Sequence, residues 1–398
     1  MTALSREKHP ATKGPLTYLL GSLVSLPTLS MTLIAPALPA VRADFGASYN
    51  QAQLLITTFL IAMAVGLLFV GLLSDRFGRR PAFLTGTFLF FLGSLMGVFA
   101  PNTVILIIAR LLQGLGASAL MVTGRIIAND VYAAKDASRA LSSITAVQTL
   151  MPVIALSLGG LIVEYLGWRA TFGMMALAAA LVLTQSYLLI AETNQNKLAN
   201  LRITALFDAF RTVLTARNWQ IYSICAGMQI GMFYSMNGYM SYHFVRLGAS
   251  ITAFGFYYAM ISVGYLIGNL VNRKYGGIAS LGQWVLYGSL LTLIAIAMIW
   301  TLDEMALLTP PLLSFLLCVI GFSHGILVAN AIISSMQNMG AHSGSASGLG
   351  ATTHMLIGGA SGSIIILLGG ATDFAVCMSI NGAMALISVI AAKRGLHH

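Results

Sequence analysis

The sequence has little charge for its length. Of 398 residues only 8% are charged, whereas 58% are hydrophobic, and the mean hydropathy is +0.85. Soluble domains carry about 25% charged residues, and a soluble core could not absorb this much apolar surface. The composition therefore excludes a soluble protein and indicates an integral membrane protein.

Residues that would indicate an enzyme or a metalloprotein are also scarce. The three cysteines, Cys225, Cys318 and Cys377, lie in apolar runs and show neither metal-ligand spacing nor a disulfide framework. No G-x-x-x-x-G-K-[ST] loop is present to bind a nucleotide. The net charge of +10 fits basic loops beside a membrane better than binding to nucleic acid. We expect no enzyme activity, cofactor, metal ion or nucleic-acid partner.

Long apolar runs, by contrast, are abundant. A helix needs about 20 apolar residues to cross a bilayer. Twelve such runs occur, at 16–38, 51–73, 82–100, 103–126, 139–165, 168–191, 218–244, 252–271, 281–301, 307–330, 343–369 and 372–392. This pattern predicts an all-α membrane protein with twelve transmembrane helices. A polar linker at 192–217 follows the sixth run, so we expect two six-helix bundles, at 1–191 and 218–398.

The Lys and Arg residues predict the orientation of the chain. If the N-terminus is cytoplasmic, sixteen of the 21 basic residues lie in cytoplasmic segments, and only Arg42, Arg169 and Arg246 lie on the opposite side. Basic residues accumulate in the cytoplasmic loops of membrane proteins. The sequence therefore predicts that both termini are cytoplasmic.

A short internal repeat supports two related halves. The pattern Gly71-x-x-x-Asp75 returns as Gly268-x-x-x-Asn272, and an arginine follows each copy. Both copies lie between the second and third runs of their half. Two six-span halves with the same orientation are typical of secondary transporters, which bind their solute between the repeats.

Several motifs resemble those of one transporter family. Residues 71–81 read G-L-L-S-D-R-F-G-R-R-P and resemble the loop signature G-x-L-x-D-R-x-G-R-[KR]. Residues 110–117 read R-L-L-Q-G-L-G-A, residues 124–130 G-R-I-I-A-N-D, and residues 167–172 G-W-R-A-T-F. Together with P-A-L-P at 36–39, these motifs resemble the major facilitator superfamily and, within it, the Bcr/CflA branch of drug:proton antiporters.

The resemblance implies a secondary active transporter in a bacterial cytoplasmic (inner) membrane. It would export a small organic solute, such as a drug-like compound, a metabolite or a siderophore, by alternating access in antiport with protons. Multidrug resistance by efflux is the corresponding phenotype. A proton-coupled symporter or facilitator for an organic anion is the alternative within transport, and a non-transporting receptor or scaffold is the alternative outside it. We expect a monomer in contact with membrane lipids.

The loop after the second run is predicted to act as a conformational latch. Asp75 would face the positive N-terminus of the eleventh-span helix, which starts near Ser343. Arg79 would pair with Asp130 at the end of the fourth span, and Gly71 would let helices approach closely. A partly buried pair of this kind stabilises one arrangement of the molecule and breaks in the other. Anchoring of the topology alone is the alternative, because arginines after a span orient it in any case.

Arg110 lies well inside the fourth run, and Gln113 shares its helix face one turn away. An arginine in the membrane costs about 2.5–3.5 kcal/mol, so such residues usually face a cavity or a partner. By the resemblance, Arg110 would help to couple proton movement to solute movement, and a purely structural arginine is the alternative. Arg125, near the cytoplasmic end of the same run, is a second cavity candidate.

Two departures from the family pattern bear on the solute and on coupling. Thr32 stands where drug-exporting relatives carry an acid, and none of the eleven acids lies in the middle of a run. A lipophilic cation needs a buried carboxylate, so we expect an anionic, zwitterionic or neutral solute. In the fifth run Pro152, Gly159 and Gly160 match the antiporter signature, whereas Leu156 replaces an expected proline.

Other polar residues must carry the proton if no central acid does. His324 and His354 lie in apolar runs and are the candidates, because histidine titrates near neutral pH. Gln229, Tyr234 and Asn237 in the seventh run suit the wall of a solute site. Hydrogen bonds between helices are the alternative interpretation of these three residues.

Overall fold

The computed structural model describes residues 24–131, 134–194, 203–337, 339–368 and 373–396. Residues 16–23 of the first predicted run and 195–202 of the predicted linker lie outside the described residues. The described ranges are almost entirely helical and contain no β-strand. The helices are α1 Val24–Phe45, α2 Tyr49–Phe77, α3 Arg79–Val98, α4 Thr103–Val131, α5 Ala134–Leu166, α6 Trp168–Leu189, α7 Ile203–Thr215, α8 Arg217–Arg246, α9 Ile251–Tyr275, α10 Leu281–Glu304, α11 Pro310–Met336, α12 Ser343–Leu367 and α13 Phe374–Gly395.

Twelve of these helices correspond to the predicted spans. Within the described residues, nine are long and apolar enough to cross a membrane, and α5 adds a shorter apolar stretch at Leu150–Leu166. α8 is 30 residues long but carries many buried polar side chains, and α12 is 25 residues long. The 13-residue α7 is amphipathic and lies in the predicted linker. The prediction of an all-α protein with twelve transmembrane helices is confirmed.

Local sequence signals set several helix ends. Ser48 and Gln51 form a reciprocal capping box at the start of α2, and Ser280 and Gln283 do the same for α10. Gly78 ends α2 with φ at +111°, a conformation that side-chain-bearing residues rarely adopt. This glycine therefore lets the chain turn directly from α2 into α3.

The helices form two bundles, α1–α6 and α8–α13. Within the first bundle α4 packs against α2 and α3, and within the second α11 packs against α9 and α10. The bundles meet where α2 contacts α12 and where α5 contacts α9. The predicted chain bounds of the two halves, 1–191 and 218–398, stay predictions.

The two ends of the molecule differ in their polar contacts. At one end Arg79 lies near Asp130, and we call it the Arg79 end. At the other end Arg169 donates a 2.6 Å hydrogen bond to Asp44, and we call it the Arg169 end. These contacts lie within the first bundle.

Candidate transport site

A cavity of about 1590 Å³ lies between the two bundles. Its wall comes from α1, α4 and α5 on one side and from α8, α9, α11 and α12 on the other. Asn129, Arg273 and Ser347 line the cavity and are exposed, whereas His324 and His354 line it and are buried. Since the exposed wall residues lie towards the Arg79 end, the cavity opens there.

The bundles touch each other at the Arg169 end. Tyr49, at the start of α2, packs edge-on against Tyr242 of α8 with ring centroids 4.9 Å apart. Glu164 of α5 accepts a 2.9 Å hydrogen bond from the backbone N–H of Thr252, in the first turn of α9. A carboxylate is favoured at that position because a helix N-terminus carries partial positive charge. The described part of the molecule is therefore open towards one end and closed by interbundle contacts at the other.

The cavity wall carries basic side chains. Arg125 comes from the first bundle and Arg273 from the second, so the two arginines lie on opposite sides. Among the described residues that line the cavity there is no Asp or Glu. Apolar and amide side chains complete the wall, including Met121, Gln148, Ile230, Phe233, Tyr234, Ile261, Leu266 and Asn269. The described wall therefore carries positive charge with no carboxylate to balance it.

Arg125 is oriented by a neighbouring helix. Its Nη2 donates a 3.0 Å hydrogen bond to Oε1 of Gln148 in α5. Nε2 of Gln148 in turn donates a 3.0 Å hydrogen bond to the carbonyl of Val24 in α1. A guanidinium has five N–H donors, so this contact fixes the side chain and uses only one of them.

Two imidazoles lie deep in the wall. His324 is 5% exposed, and its Nε2 has no hydrogen-bond partner among the described residues. His354 is 6% exposed and lies beside Gly227, where an added β-carbon would be 3.4 Å from its Cδ2. The structure therefore places both predicted histidines at the cavity.

Arg110 and Gln113 lie outside the cavity wall, contrary to expectation. Arg110 is completely buried, and its Nε donates a 2.9 Å hydrogen bond to the carbonyl of Leu55. Its Nη1 donates to Oγ of Ser30 at 2.7 Å and to Oε1 of Gln113 at 2.8 Å. These residues belong to the packing of α1, α2 and α4, because their face of α4 points into the first bundle.

Three further predicted cavity residues are also buried away from the wall. Thr32 donates a 2.8 Å hydrogen bond to the carbonyl of Thr28, in its own helix. Gln229 accepts a 3.2 Å hydrogen bond from Thr292 of α10. Asn237 is 1% exposed and lies one turn beyond the wall residues of α8. Of the predicted residues, the structure thus brings Arg125, Tyr234, His324 and His354 together at the cavity.

Arg79 joins two acids at its end of the first bundle. Its Nη1 pairs with Asp75, and its Nε lies 3.5 Å from Oδ2 of Asp130. Glu192 accepts a 2.9 Å hydrogen bond from the backbone N–H of Arg79. Asn194 donates a 2.9 Å hydrogen bond to the carbonyl of Asp75. The cluster ties α2, α3 and α4 to the segment that follows α6.

Two of the predicted latch residues, Asp75 and Gly71, are loosely surrounded in this arrangement. The side chain of Asp75 is 41% exposed, and the described partner of its carboxylate is Arg79. An added β-carbon on Gly71 would meet none of the described atoms within 4 Å, so the described residues show no close approach at Gly71. The described contacts of the cluster lie within the first bundle, and the interbundle contact of the latch stays a prediction.

The predicted motif of the fifth span lies at two contacts of α5. Pro152 lies inside α5 and lines the cavity. An added β-carbon on Gly159 would lie 2.8 Å from Cγ of Pro36, and one on Gly160 would lie 2.8 Å from the carbonyl oxygen of Ile251. The two glycines therefore let α5 approach α1 and the second bundle closely.

Sequence reasoning missed Arg273 and Gln148 as cavity residues. The internal repeat places Arg273 in a basic loop, and only the packing of α9 brings it to the cavity mouth. Gln148 precedes Pro152 by one turn on α5, and this shared face is the signal that could have found it.

Comparison with known proteins identifies the family. The sequence profile of the Major Facilitator Superfamily matches residues 20–363. An uncharacterized MFS-type transporter, YdgK of Bacillus subtilis (strain 168), is 27% identical over 349 residues, which are 86% of each chain. A bicyclomycin resistance protein homolog of Haemophilus influenzae is 24% identical over 380 residues, 94% of each chain. A chloramphenicol resistance protein of Pseudomonas aeruginosa is 29% identical over 210 residues, 52% of this chain and 49% of its own.

Solved transporters share the fold. A D-xylose-proton symporter aligns with a TM-score of 0.73 and 17% identity over 96% of each chain. A POT family transporter in complex with 5-aminolevulinic acid aligns with a TM-score of 0.75 and 14% identity over 98% of each chain. At these identities the likeness concerns the fold alone. The profile match, the twelve helices and the cavity between two bundles show that this chain belongs to the Major Facilitator Superfamily, as a multi-pass transporter of small molecules in a bacterial inner membrane and not an enzyme.

Proposed function

We propose that the protein exports a small organic solute from the cytoplasm by alternating access, in antiport with protons. In this proposal the Arg79 end faces the cytoplasm, because the described Lys and Arg residues concentrate at that end, whereas Arg42, Arg169 and Arg246 lie at the other. The cavity then opens towards the cytoplasm, where an exporter takes up its solute. The names of the resistance proteins from Pseudomonas and Haemophilus support a drug-like compound as one class of solute.

One observation carries the proposed substrate class. The cavity offers Arg125 and Arg273 on opposite walls and no carboxylate among its described lining residues. A cation would lose hydration there without gaining a counter-charge, whereas a carboxylate could accept charge-assisted hydrogen bonds from either guanidinium. The solute is therefore an anion, a zwitterion or a neutral compound. The same basic wall supports the second candidate function, proton-coupled symport or facilitated passage of an organic anion.

His324 and His354 are the proposed proton carriers. They are the titratable side chains buried in the described cavity wall, and histidine changes charge near neutral pH. The cluster of Asp75, Arg79 and Asp130 is the proposed latch, which would gain a contact with α12 once the Arg79 end closes. Arg110 does not line the cavity. Its proposed coupling role would therefore act indirectly, through the positions of the three helices that it joins.

Transport in proteoliposomes under an imposed pH gradient tests this function. The probes are salicylate as an organic anion, chloramphenicol as an uncharged compound and tetraphenylphosphonium as a lipophilic cation. We expect the gradient to drive the anion or the uncharged compound and not the cation. Movement of the cation alone would contradict the proposed substrate class, and movement of no probe under any gradient would count against drug-like solutes.

A charge variant at the cavity mouth tests the wall directly. We expect Arg273→Gln to raise the KM for a transported anion by about tenfold, since a hydrogen bond to a charged group contributes about 1.5–3 kcal/mol. Lys274→Gln is the matched control, because it removes one positive charge from the next position, outside the cavity wall. Equal effects of the two substitutions would mean that only the general surface charge matters.

A further inference from the structure

The carboxamide of Gln53 lies across the boundary between the two bundles, between two glycines. Gln53 belongs to α2 of the first bundle, whereas Gly238 and Gly362 belong to α8 and α12 of the second. An added β-carbon on Gly238 would overlap Oε1 of Gln53 and lie 2.6 Å from its Nε2. One on Gly362 would lie 3.0 Å from the same Nε2 and 2.7 Å from Oγ1 of Thr57. We call the space between the two glycines the glycine slot.

Any other residue at either glycine would fill the slot. A β-carbon closer than 3.0 Å to a neighbouring atom forces that neighbour to move, and Gln53 is enclosed on both sides. Gln53 is 1% exposed, so an added methyl group would press on a side chain that is already buried. The present packing of Gln53 therefore depends on the absence of side chains at both slot positions.

The polar groups in and beside the slot make no hydrogen bond with the described residues. This holds for both amide atoms of Gln53, for Oγ1 of Thr57 and for both amide atoms of Asn237. Thr57 is 3% exposed and Asn237 1%. Buried polar groups normally have partners, and leaving them without partners is unfavourable. The close fit of Gln53 between the glycines thus favours the closed arrangement. The polar atoms without partners favour the open arrangement, in which water could bind to them.

The slot lies between the cavity and the closed Arg169 end. Gln53 is one helical turn from Tyr49, whose ring packs against Tyr242 at that end. Asn237 is one turn from Phe233, which lines the cavity. A solute that leaves the cavity towards the Arg169 end must therefore separate α2 from α8 at the slot.

We propose that Gln53 closes a gate at the Arg169 end by packing into the glycine slot. We also propose that its unpartnered amide shifts the equilibrium of this gate towards the open state. The gate is closed while the amide occupies the glycine slot. It opens when the Gln53 end of α2 moves away from α8 and from Gly362 of α12, and water then hydrates Gln53, Thr57 and Asn237. This inference rests on the proposed function only in assuming that the two bundles move so that the two ends of the molecule open in turn.

The proposal predicts opposite effects for two substitutions. Gly238→Ala fills the slot and favours the open gate. Gln53→Met keeps the length and flexibility of the side chain but removes its unpartnered polar atoms, so it favours the closed gate. If Gly238 and Gln53 only supported the fold, the two substitutions would not shift the conformational equilibrium in opposite directions.

Double electron–electron resonance between spin labels at Pro101→Cys and Met305→Cys measures the gate. Both sites are exposed in loops at the Arg169 end, one in each bundle, and the natural Cys225, Cys318 and Cys377 are replaced by alanine. In lipid nanodiscs without solute, we expect Gly238→Ala to raise the ratio of long to short distances by about fivefold or more, and Gln53→Met to lower it about fivefold. Gly173→Ala is the matched control, because among the described residues its β-carbon would meet only Val98, at 3.9 Å within the first bundle.

The distance measurements can contradict the gate proposal independently of the proposed transport function. A distance distribution of Gln53→Met that equals the parent's, or that moves to longer distances, overturns the proposal even if Gly238→Ala fails to fold. Gly362→Ala provides a second filled slot and should shift the distances in the same direction as Gly238→Ala. The measurement needs no solute, so a protein that moved none of the transport probes could still show the gate.

Discussion

Arg110 shows how a residue expected in the cavity wall can instead lie in the packing of one bundle. Its guanidinium donates to the carbonyl of Leu55 and to Oγ of Ser30, and it lies 4.2 Å from the centre of the Phe59 ring. Burial of an arginine in the membrane is unfavourable by about 2.5–3.5 kcal/mol on insertion scales. Oxygen atoms from α1, α2 and α4 offset this cost, so Arg110 joins three helices of the first bundle.

We therefore expect Arg110→Ala to destabilise the protein as well as impair transport. The substitution removes the buried hydrogen bonds of the guanidinium to Leu55, Ser30 and Gln113. Each acceptor that finds no other partner then costs about 1–3 kcal/mol. Thermal unfolding in detergent, without any solute, should show a lower Tm than the parent. Leu111→Ala is the control, because Leu111 is 42% exposed on the outer face of the same helix. An unchanged Tm with lost transport would instead support a direct coupling role for Arg110.

At the scale of elements, the two halves place different chemistry at the same position of their repeat. Asp75 of α2 and Asp130 of α4 share Arg79 in the first half. In the second half Asn272 of α9 accepts a 2.9 Å hydrogen bond from Asn330 of α11. The first half thus carries an ion-pair cluster where the second carries a neutral amide pair. Only the charged copy can respond strongly to the dipole of a helix in the opposite bundle.

The proposed latch predicts unequal effects of matched substitutions. We expect Asp75→Asn to lower the initial rate of transport in proteoliposomes by about fivefold or more, because it removes a charge from the element that changes partners between states. Asn272→Ala, at the corresponding position of the second half, should change the rate less than Asp75→Asn. Thermal stability should change by no more than about 1 kcal/mol for Asp75→Asn, since partly exposed ion pairs contribute little. A larger loss of transport in Asn272→Ala would contradict a latch based on the first half.

At the scale of the whole molecule, alternating access requires that the two ends open in turn. The cavity reaches exposed residues at the Arg79 end, while Tyr49, Glu164 and Gln53 contact the second bundle at or near the Arg169 end. Interbundle contacts along α2–α12 and α5–α9 let the bundles rock without separating. The proposed export requires that the open cavity faces the cytoplasm.

Labelling of single cysteines tests that orientation. We expect a membrane-impermeant maleimide to label Met305→Cys in intact bacterial cells, and Asp208→Cys only after the membrane has been permeabilised. Asp208 lies exposed on α7 in the linker, and Met305 lies exposed in the loop at the Arg169 end. The opposite labelling pattern would place the Arg79 end outside the cell and contradict export through the open cavity.

The sequence by itself determined the class of the protein, its twelve spans and its family motifs, because these depend on local composition. It also indicated that no acid would balance the arginines of a cavity, since no apolar run carries an Asp or Glu near its middle. Only the tertiary structure decided which polar side chains face the cavity. Arg110 and Arg125 both lie on α4 and are separated by only about 60° around the helix, at 3.6 residues per turn. Packing against α1 and α2 buries Arg110 in the bundle and leaves Arg125 in the cavity wall, and no local pattern encodes that choice.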